Sequence, residues 1–276
     1  CEPSKAKSPF LCPVRRIRHN RSMLLKGKKG LVLSVTNDRS IGWAIADAAA
    51  SEGAEVGVGA QNDRMMERVE PLLEGRSNLK PFMVDFQFDD QMEALRDSVA
   101  AAYGKIDFLV HSAAFAKKED LSGRFLDTSR DGFATALDVS CYSLVKLCQV
   151  LEGVIADDAS VVTISYLGSQ RVVGNYNVMG VAKAALEASA RYLSVDLGVR
   201  GIRVNVLSPG PINTVAARGV RGLLDMIGHV QERAPLKREF GQREVTQSAL
   251  YLLSDLSVGV TGQILYIDSG YNIVGL

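Results

Sequence analysis

Histidine is scarce in this chain. His19, His111 and His229 stand far apart, so no cluster with metal-ligand spacing exists and no metal centre is expected. Cysteine is nearly as sparse: Cys1 and Cys12 fall in a basic N-terminal tract, and Cys141 and Cys148 lie seven apart on an expected helix. That is no disulfide framework; it reads as a pair of core thiols in a reducing compartment. No run of 18 apolar residues occurs, so neither a membrane span nor a membrane partner is expected. Net charge is also lacking, at +1 overall. Residues 1–22 carry six basic side chains against Glu2, a balance of +5 that leaves −4 for the rest. A body charged in this way has no overall attraction for nucleic acid.

The N-terminal tract differs from everything after it, with Pro3, Pro9 and Pro13, scattered Arg and Ser, and no apolar period. It is expected to stay outside the folded body, as an artefact upstream of Met23 or as an organelle transit peptide, and it lacks the apolar stretch of a secretory signal. Single basic runs of this kind are more often solvated tails than nucleic-acid arms. Residues 23–276 then form one domain. The 276-residue chain is 47% hydrophobic and 23% charged, enough for a large α/β domain with a substantial core.

Apolar β-branched runs alternate with helix formers. Lys29–Val35, Glu55–Ala60, Lys80–Val84, Ile106–Val110, Ser160–Ile164 and Ile202–Leu207 read as strands, Ile41–Ala50 and the long Asp131–Val154 as helices. Such alternation builds an open parallel sheet whose ligands bind beyond the carboxyl ends of the strands. Between the first strand and helix, Ser34-Val35-Thr36-Asn37-Asp38-Arg39-Ser40-Ile41-Gly42 makes a turn with Ser40 as a natural N-cap. A turn of this kind presents backbone amides and a positive helix end to a pyrophosphate. Gly57-Val58-Gly59 falls inside a strand, so it reads as a close-packing site and not as a phosphate loop. The second strand ends in Gln61-Asn62-Asp63, whose acceptors suit a ribose hydroxyl and hence NADH over NADPH, with Arg64 pulling the other way. Asp85 follows the third strand, where it could also cap a helix. After the fourth strand come His111-Ser112-Ala113-Ala114-Phe115-Ala116; the small residues let a ribose lie against backbone, and His111 reads as packed and structural.

Ser165 to Lys183 is the organising stretch. It runs from the end of one strand into Ala182-Lys183-Ala184-Ala185-Leu186-Glu187-Ala188, built from good helix formers. Tyr176 and Lys183 are seven apart, so a helix through both places them on one face. A phenol beside an ammonium can donate to a developing oxyanion, while the ammonium favours the phenolate and can hold a cofactor hydroxyl. Tyr166 can reach the same space from the strand end.

Ser165-Tyr166-Leu167-Gly168, Asn175-Tyr176-Asn177-Val178-Met179-Gly180 and Ala182-Lys183-Ala184 closely resemble the signature of the enoyl-acyl-carrier-protein reductases, a divergent branch of the short-chain dehydrogenase/reductases. Ordinary ketoreductases of that superfamily place the Lys four residues after the Tyr, and position 180 here is Gly180. The likeness runs from Leu24 to Leu276 and implies a Rossmann-like, doubly wound sheet of about seven strands. It departs from the family at Ser34, where a glycine is usual, at Ala114, and at Asn213, where Arg is usual.

The resemblance implies NADH-dependent reduction of trans-2-enoyl thioesters on acyl carrier protein, for fatty acid synthesis, in a cytoplasmic homotetramer (or in an organellar stroma or matrix, if residues 1–22 are a transit peptide). Tyr166, Tyr176 and Lys183 would be catalytic. Ser34, Ser40, Ile41, Gln61, Asp85, Phe86, Ser112, Ala113, Ala114, Lys183, Pro211, Ile212 and Thr214 would hold the cofactor. Of these, Asp85 and Phe86 would meet adenine, the Ile212 backbone the carboxamide, and the Thr214 hydroxyl the pyrophosphate. Phe115, Ala116, Tyr166, Met179, Ala216, Ala217 and Met226 would line the acyl site, the last three on a mobile helix, Val215–Met226. Carrier docking leans on basic residues there; Arg218 and Arg221 are kept, while Leu224 and Asp225 are not basic. The rival expectations are a ketoreductase and a non-catalytic NAD(H)-binding paralogue.

Overall fold

The computed structural model describes residues 23–214, 217, 222–238 and 240–275. The strands are β1 Lys29–Leu33, β2 Glu55–Ala60, β3 Leu79–Met83, β4 Ile106–His111, β5 Ile155–Ile164, β6 Arg203–Pro209 and β7 Ile264–Ile267. They form one sheet in the order β3-β2-β1-β4-β5-β6-β7, and every neighbouring pair is parallel. Strand order reverses between β1 and β4, which opens a crevice at the carboxyl ends. Helices α1 (Ile41–Ser51), α2 (Asp63–Leu73) and, late in the chain, α8 (Gln242–Leu253) cover one face. The other face carries α3 (Asp89–Tyr103), α5 (Ser143–Leu151) and α6 (Asn177–Gly198), with α4 (Arg130–Leu137) against α6. Helix α7 (Leu223–Arg233) follows β6.

Side chains leave the strands alternately into two cores. Leu31, Leu33, Leu109, Val161 and Val204 pack towards α3, α5 and α6, and Val32, Phe108, Val110, Val162 and Leu207 towards α1 and α8. Burial on both faces is why these strands read as continuous apolar runs. The glycines of β2 are packing positions, as expected. A Cβ on Gly57 would stand 2.7 Å from the Phe82 ring, and one on Gly59 would stand 2.3 Å from Leu33.

Several boundaries differ from expectation. Strand β1 stops at Leu33 because Ser34 takes φ +65°, outside any strand. Strand β5 begins at Ile155, passing through Asp158 at φ +60°, and β6 runs on to Pro209. The long helix expected over Asp131–Val154 runs unbroken from Arg130 to Leu151, but α4 and α5 are joined in it by a π turn, Asp138–Tyr142. The Ser140 hydroxyl accepts from the Phe115 N–H at 2.9 Å and donates to its carbonyl at 3.0 Å. Those two bonds join the widened turn to the strand-end loop, and within the turn Ser143 Oγ donates to Val139 O at 2.7 Å. Cys141 in that turn and Cys148 in α5 are free, buried thiols, as the sequence suggested. Among the described residues, Arg130–Leu151 is the one stretch long and apolar enough to cross a membrane; half of it is buried in this fold. The basic tract 1–22, Val215, Ala216, Arg218, Gly219 and Arg221 lie outside the described residues.

Candidate active site

Three strand ends meet at the crevice. At the first, Ser40 Oγ donates to Asn37 O at 2.8 Å and accepts from Trp43 N–H at 3.2 Å, capping α1 as expected. The first turn of α1 has no acidic residue, so its positive end is uncompensated. Ser34 stands in the left-handed region at the turn's entrance, where the resembled family has glycine. Ile41 is half-buried behind the cap.

At the second, β4 delivers His111, Ser112 and Ala113. His111 is fully buried, and burial followed by the Lys183 charge holds its pKa down at about 3. Its neutral ring bridges Thr163 Oγ1 and Ser143 Oγ at 2.9 Å each. Ser143 already spends its proton on Val139 O, so His111 Nε2 is the donor and Nδ1 the acceptor. This histidine is structural. Ser112 backs onto Gly42 across the crevice, Ala114 and Phe115 are exposed, and Ala116 is half-buried.

The third strand end carries the chemistry. Tyr176 does not lie within α6, as the spacing suggested, but one residue before it. It is flanked by Asn175 at φ +60° and Asn177 at φ +37°, a residue type that tolerates the left-handed region. The Tyr176 and Tyr166 rings meet edge-on with centroids 5.0 Å apart. A Cβ on Gly168 would fall 2.5 Å from the Tyr176 ring, and one on Gly180 would fall 2.7 Å from Gly168 O. Gly168 must be glycine for the ring to seat, and Gly180 must be glycine for α6 to pass the Gly168 carbonyl. Lys183, buried at 3% exposure, donates from Nζ to Ile164 O at 2.7 Å and Ala113 O at 3.1 Å. Lys183 thus ties the ends of β4 and β5 together, and the Tyr176 ring lies against Tyr166 and Gly168, just past the end of β5.

The electrostatics correct one expectation. Burial, then Tyr166 and Glu187, raise the Tyr176 pKa far above the ordinary phenol range, so it stays a neutral donor and not a phenolate. Burial, then Tyr271, pushes Tyr166 up to about 12. Burial pulls Lys183 down to about 8, against the opposite pull of Cys141 and Glu187.

The remaining residues named from sequence spread around the rim. Gln61 Nε2 donates to Asp85 Oδ2 at 3.0 Å, so these two meet beyond β2 and β3. Asp85 does not cap α3, whose N-cap is Phe88; its Oδ1 accepts from Gln87 N–H instead. The Phe86 ring is buried against His111, leaving its backbone for the rim. Pro211 is buried, Ile212 half-buried, and Thr214 Oγ1 accepts from Ala217 N–H at 3.1 Å. Met179 is buried with Ala136, Val178 and Ala182, and Met226 is half-buried on α7, which begins at Leu223. Ala216 falls outside the described residues. Glu187 was noticed only as a helix former; its position four residues after Lys183 was the available signal. A cavity of about 560 Å³ lies elsewhere, between α8, β7 and residues 235–240, and holds none of the residues named from sequence.

A dinucleotide fits this crevice. The capped, acid-free start of α1 suits a pyrophosphate, the Gln61–Asp85 pair offers polar atoms to a ribose, and Lys183 is a buried cation beside small residues.

A family model described as enoyl-(acyl carrier protein) reductase matches residues 35–272. The enoyl-acyl-carrier-protein reductase (NADH) 1 of Rhizobium meliloti is 48% identical over 255 residues, 92% of this chain and 94% of that protein. A Nostoc relative of the same description is 46% identical over 260 residues, covering 91% and 99%. Among solved structures, the Bacillus cereus enoyl-acyl carrier protein reductase with NADP+ and indole naphthyridinone superposes with TM-score 0.88 at 43% identity, covering 92% and 99%. The Anaplasma phagocytophilum reductase in complex with NAD gives TM-score 0.86 at 39% identity, covering 93% and 96%. With these matches spanning nearly the whole described fold, the chain belongs to the enoyl-acyl-carrier-protein reductase family.

Proposed function

We propose that this chain reduces trans-2-enoyl thioesters, carried on an acyl carrier protein, with NADH as reductant in fatty acid synthesis. The observation that carries the reading is a neutral phenol, Tyr176, at the start of α6 and a buried cation, Lys183, two turns along the same helix and bonded to the carbonyls of Ala113 and Ile164. When bound, the reduced nicotinamide supplies a hydride to the β-carbon of the enoyl group. Electron density then moves onto the thioester oxygen. Tyr176 donates its hydroxyl proton in a hydrogen bond to that oxygen, where charge appears only as the reaction proceeds. Lys183 would hold the ribose hydroxyls of the bound cofactor and add positive potential. Tyr166 walls the acyl channel against the Tyr176 ring, and solvent supplies the α-carbon proton.

Gln61 and Asp85 favour the unphosphorylated ribose, and hence NADH. We further assign a homotetramer. Tyr192 and Val195 on one side of α6, and Val199 at its C-cap, are 78%, 73% and 88% exposed, and β7 is an edge strand. A cytoplasmic setting, or an organellar stroma or matrix, agrees with the free thiols Cys141 and Cys148.

The test is absorbance at the reduced-nicotinamide band, with crotonyl and longer enoyl thioesters offered alongside NADH or NADPH. NADH consumption with enoyl but not 3-ketoacyl thioesters is expected. Turnover of the 3-ketoacyl compounds alone would make the protein a ketoreductase, and NADH binding without any turnover a silent paralogue.

A further inference from the structure

We propose that Glu187 is a positioning residue of this site: it clamps the turn carrying Tyr166 and Gly168, and its charge balances the buried ammonium of Lys183. The proposal rests on the reading of Lys183 as the cation that holds the cofactor. Lys183 and Glu187 are four residues apart on α6, so both side chains leave the same face one turn apart. They are 3% and 4% exposed. Glu187 Oε1 accepts from Ser165 Oγ and from Ser169 Oγ, both at 2.6 Å, the length of hydroxyl bonds to a charged carboxylate. Ser165 follows Ile164, whose carbonyl accepts from Lys183 Nζ. Cation and anion therefore grip successive residues of one strand end. Ser169 closes the short 3-10 turn Leu167–Ser169, which contains the glycine against which the Tyr176 ring lies.

Cys141 and Glu187 both favour the Lys183 charge, and of the groups around α6 Glu187 is the carboxylate that does so. His111 on β4 is neutral, and Cys141 faces from the π turn. Tyr166, Tyr176 and, on β7, Tyr266 are phenols with raised pKa values, and Arg171 acts on Tyr266 from the loop before α6. Asp268 beyond β7 accepts from the N–H groups of Gly270 and Asn272. Arg203 sits at the far end of β6, donating to Leu252 O and Ser257 Oγ. Asp120, in the turn before α4, accepts from Ser129 N–H; Asp131 on α4 pairs with Lys117, and Lys146 on α5 pairs with Asp89. In a water-poor site, removing one member of an opposite pair leaves the other charge uncompensated.

Glu187→Gln separates the two roles, because its amide oxygen can still accept both serine hydroxyls while the charge is gone. Glu187→Ala removes both. NADH affinity is followed by fluorescence across pH, and thermal unfolding is followed on the cofactor-free protein. Affinity of the unchanged protein should fall as pH rises through about 8, where Lys183 loses its charge. In Glu187→Gln that fall should move down by about one pH unit, with the melting temperature, compared about a unit or more above pH 8 where Lys183 is neutral in every variant, nearly unchanged. Glu187→Ala should show the same displacement and melt several degrees lower. A Glu187→Gln pH curve lying on that of the unchanged protein would overturn the charge role. A Glu187→Ala melting temperature equal to that of the unchanged protein would overturn the clamp. Lys183→Ala serves as the control. If it binds NADH normally, the reading of Lys183 fails and takes the proposal with it; if it is impaired while Glu187→Gln is normal, only the Glu187 proposal fails.

Discussion

Two strand-to-helix turns border the crevice, and they are built on opposite terms. The β1–α1 turn puts a left-handed backbone on Ser34, a residue with a side chain, and still closes. Its work is done by backbone: Val35 N–H reaches Gly59 O at 2.9 Å, and the Ser40 cap fixes the helix start. The β5–α6 turn has no such latitude. Its left-handed residues are asparagines, and there is no room for a methyl group on Gly168 beside the Tyr176 ring or on Gly180 beside the Gly168 carbonyl. Where amides carry the function a substitution is absorbed as modest strain. Where a ring must seat, it is not.

That contrast orders the expected effects of mutation. Tyr176→Phe should be the most damaging, lowering turnover by roughly a hundredfold or more with NADH affinity preserved, since one oxyanion donor is worth about 3–4 kcal/mol. Steady-state kinetics and fluorescence titration read the two quantities separately. Gly168→Ala should come next. Its Cβ would displace the Tyr176 ring, and a misplacement near 1 Å lowers turnover by roughly ten- to a hundredfold. Equal rates for Gly168→Ala and the unchanged protein would break the comparison, because the second turn would then be as tolerant as the first. Ser34→Gly should have the smallest effect and the opposite sign. Relieving a left-handed serine gains up to about 1 kcal/mol, seen as a melting point a few degrees higher and NADH binding a few-fold tighter. Unchanged values would mean that serine is accommodated there without strain.

The strands were legible because burial on both faces leaves an unmistakable apolar run, and β2 was read to the residue. The Ser40 cap was legible because its signal is local. The π turn was not, since it depends on Ser140 meeting the backbone of Phe115, twenty-five residues away. The same holds for Tyr176: helical spacing suggested a place inside α6, but the flanking asparagines set it just outside. Its role as a donor was expected, but how firmly burial keeps it neutral was out of reach, because a phenol's burial is a tertiary property while the neighbouring lysine is visible in the sequence. Glu187 was in plain view at a helical spacing, but its two partners lie eighteen and twenty-two residues upstream.

The most direct measurement is a structure determined with NADH bound. The account predicts that Lys183 Nζ leaves at least one of its two carbonyl partners and lies about 3 Å from the nicotinamide ribose hydroxyls, with the Tyr176 hydroxyl on the open side of the ring. A dinucleotide bound elsewhere, with Nζ still on Ala113 O and Ile164 O and Tyr176 facing away, would contradict it.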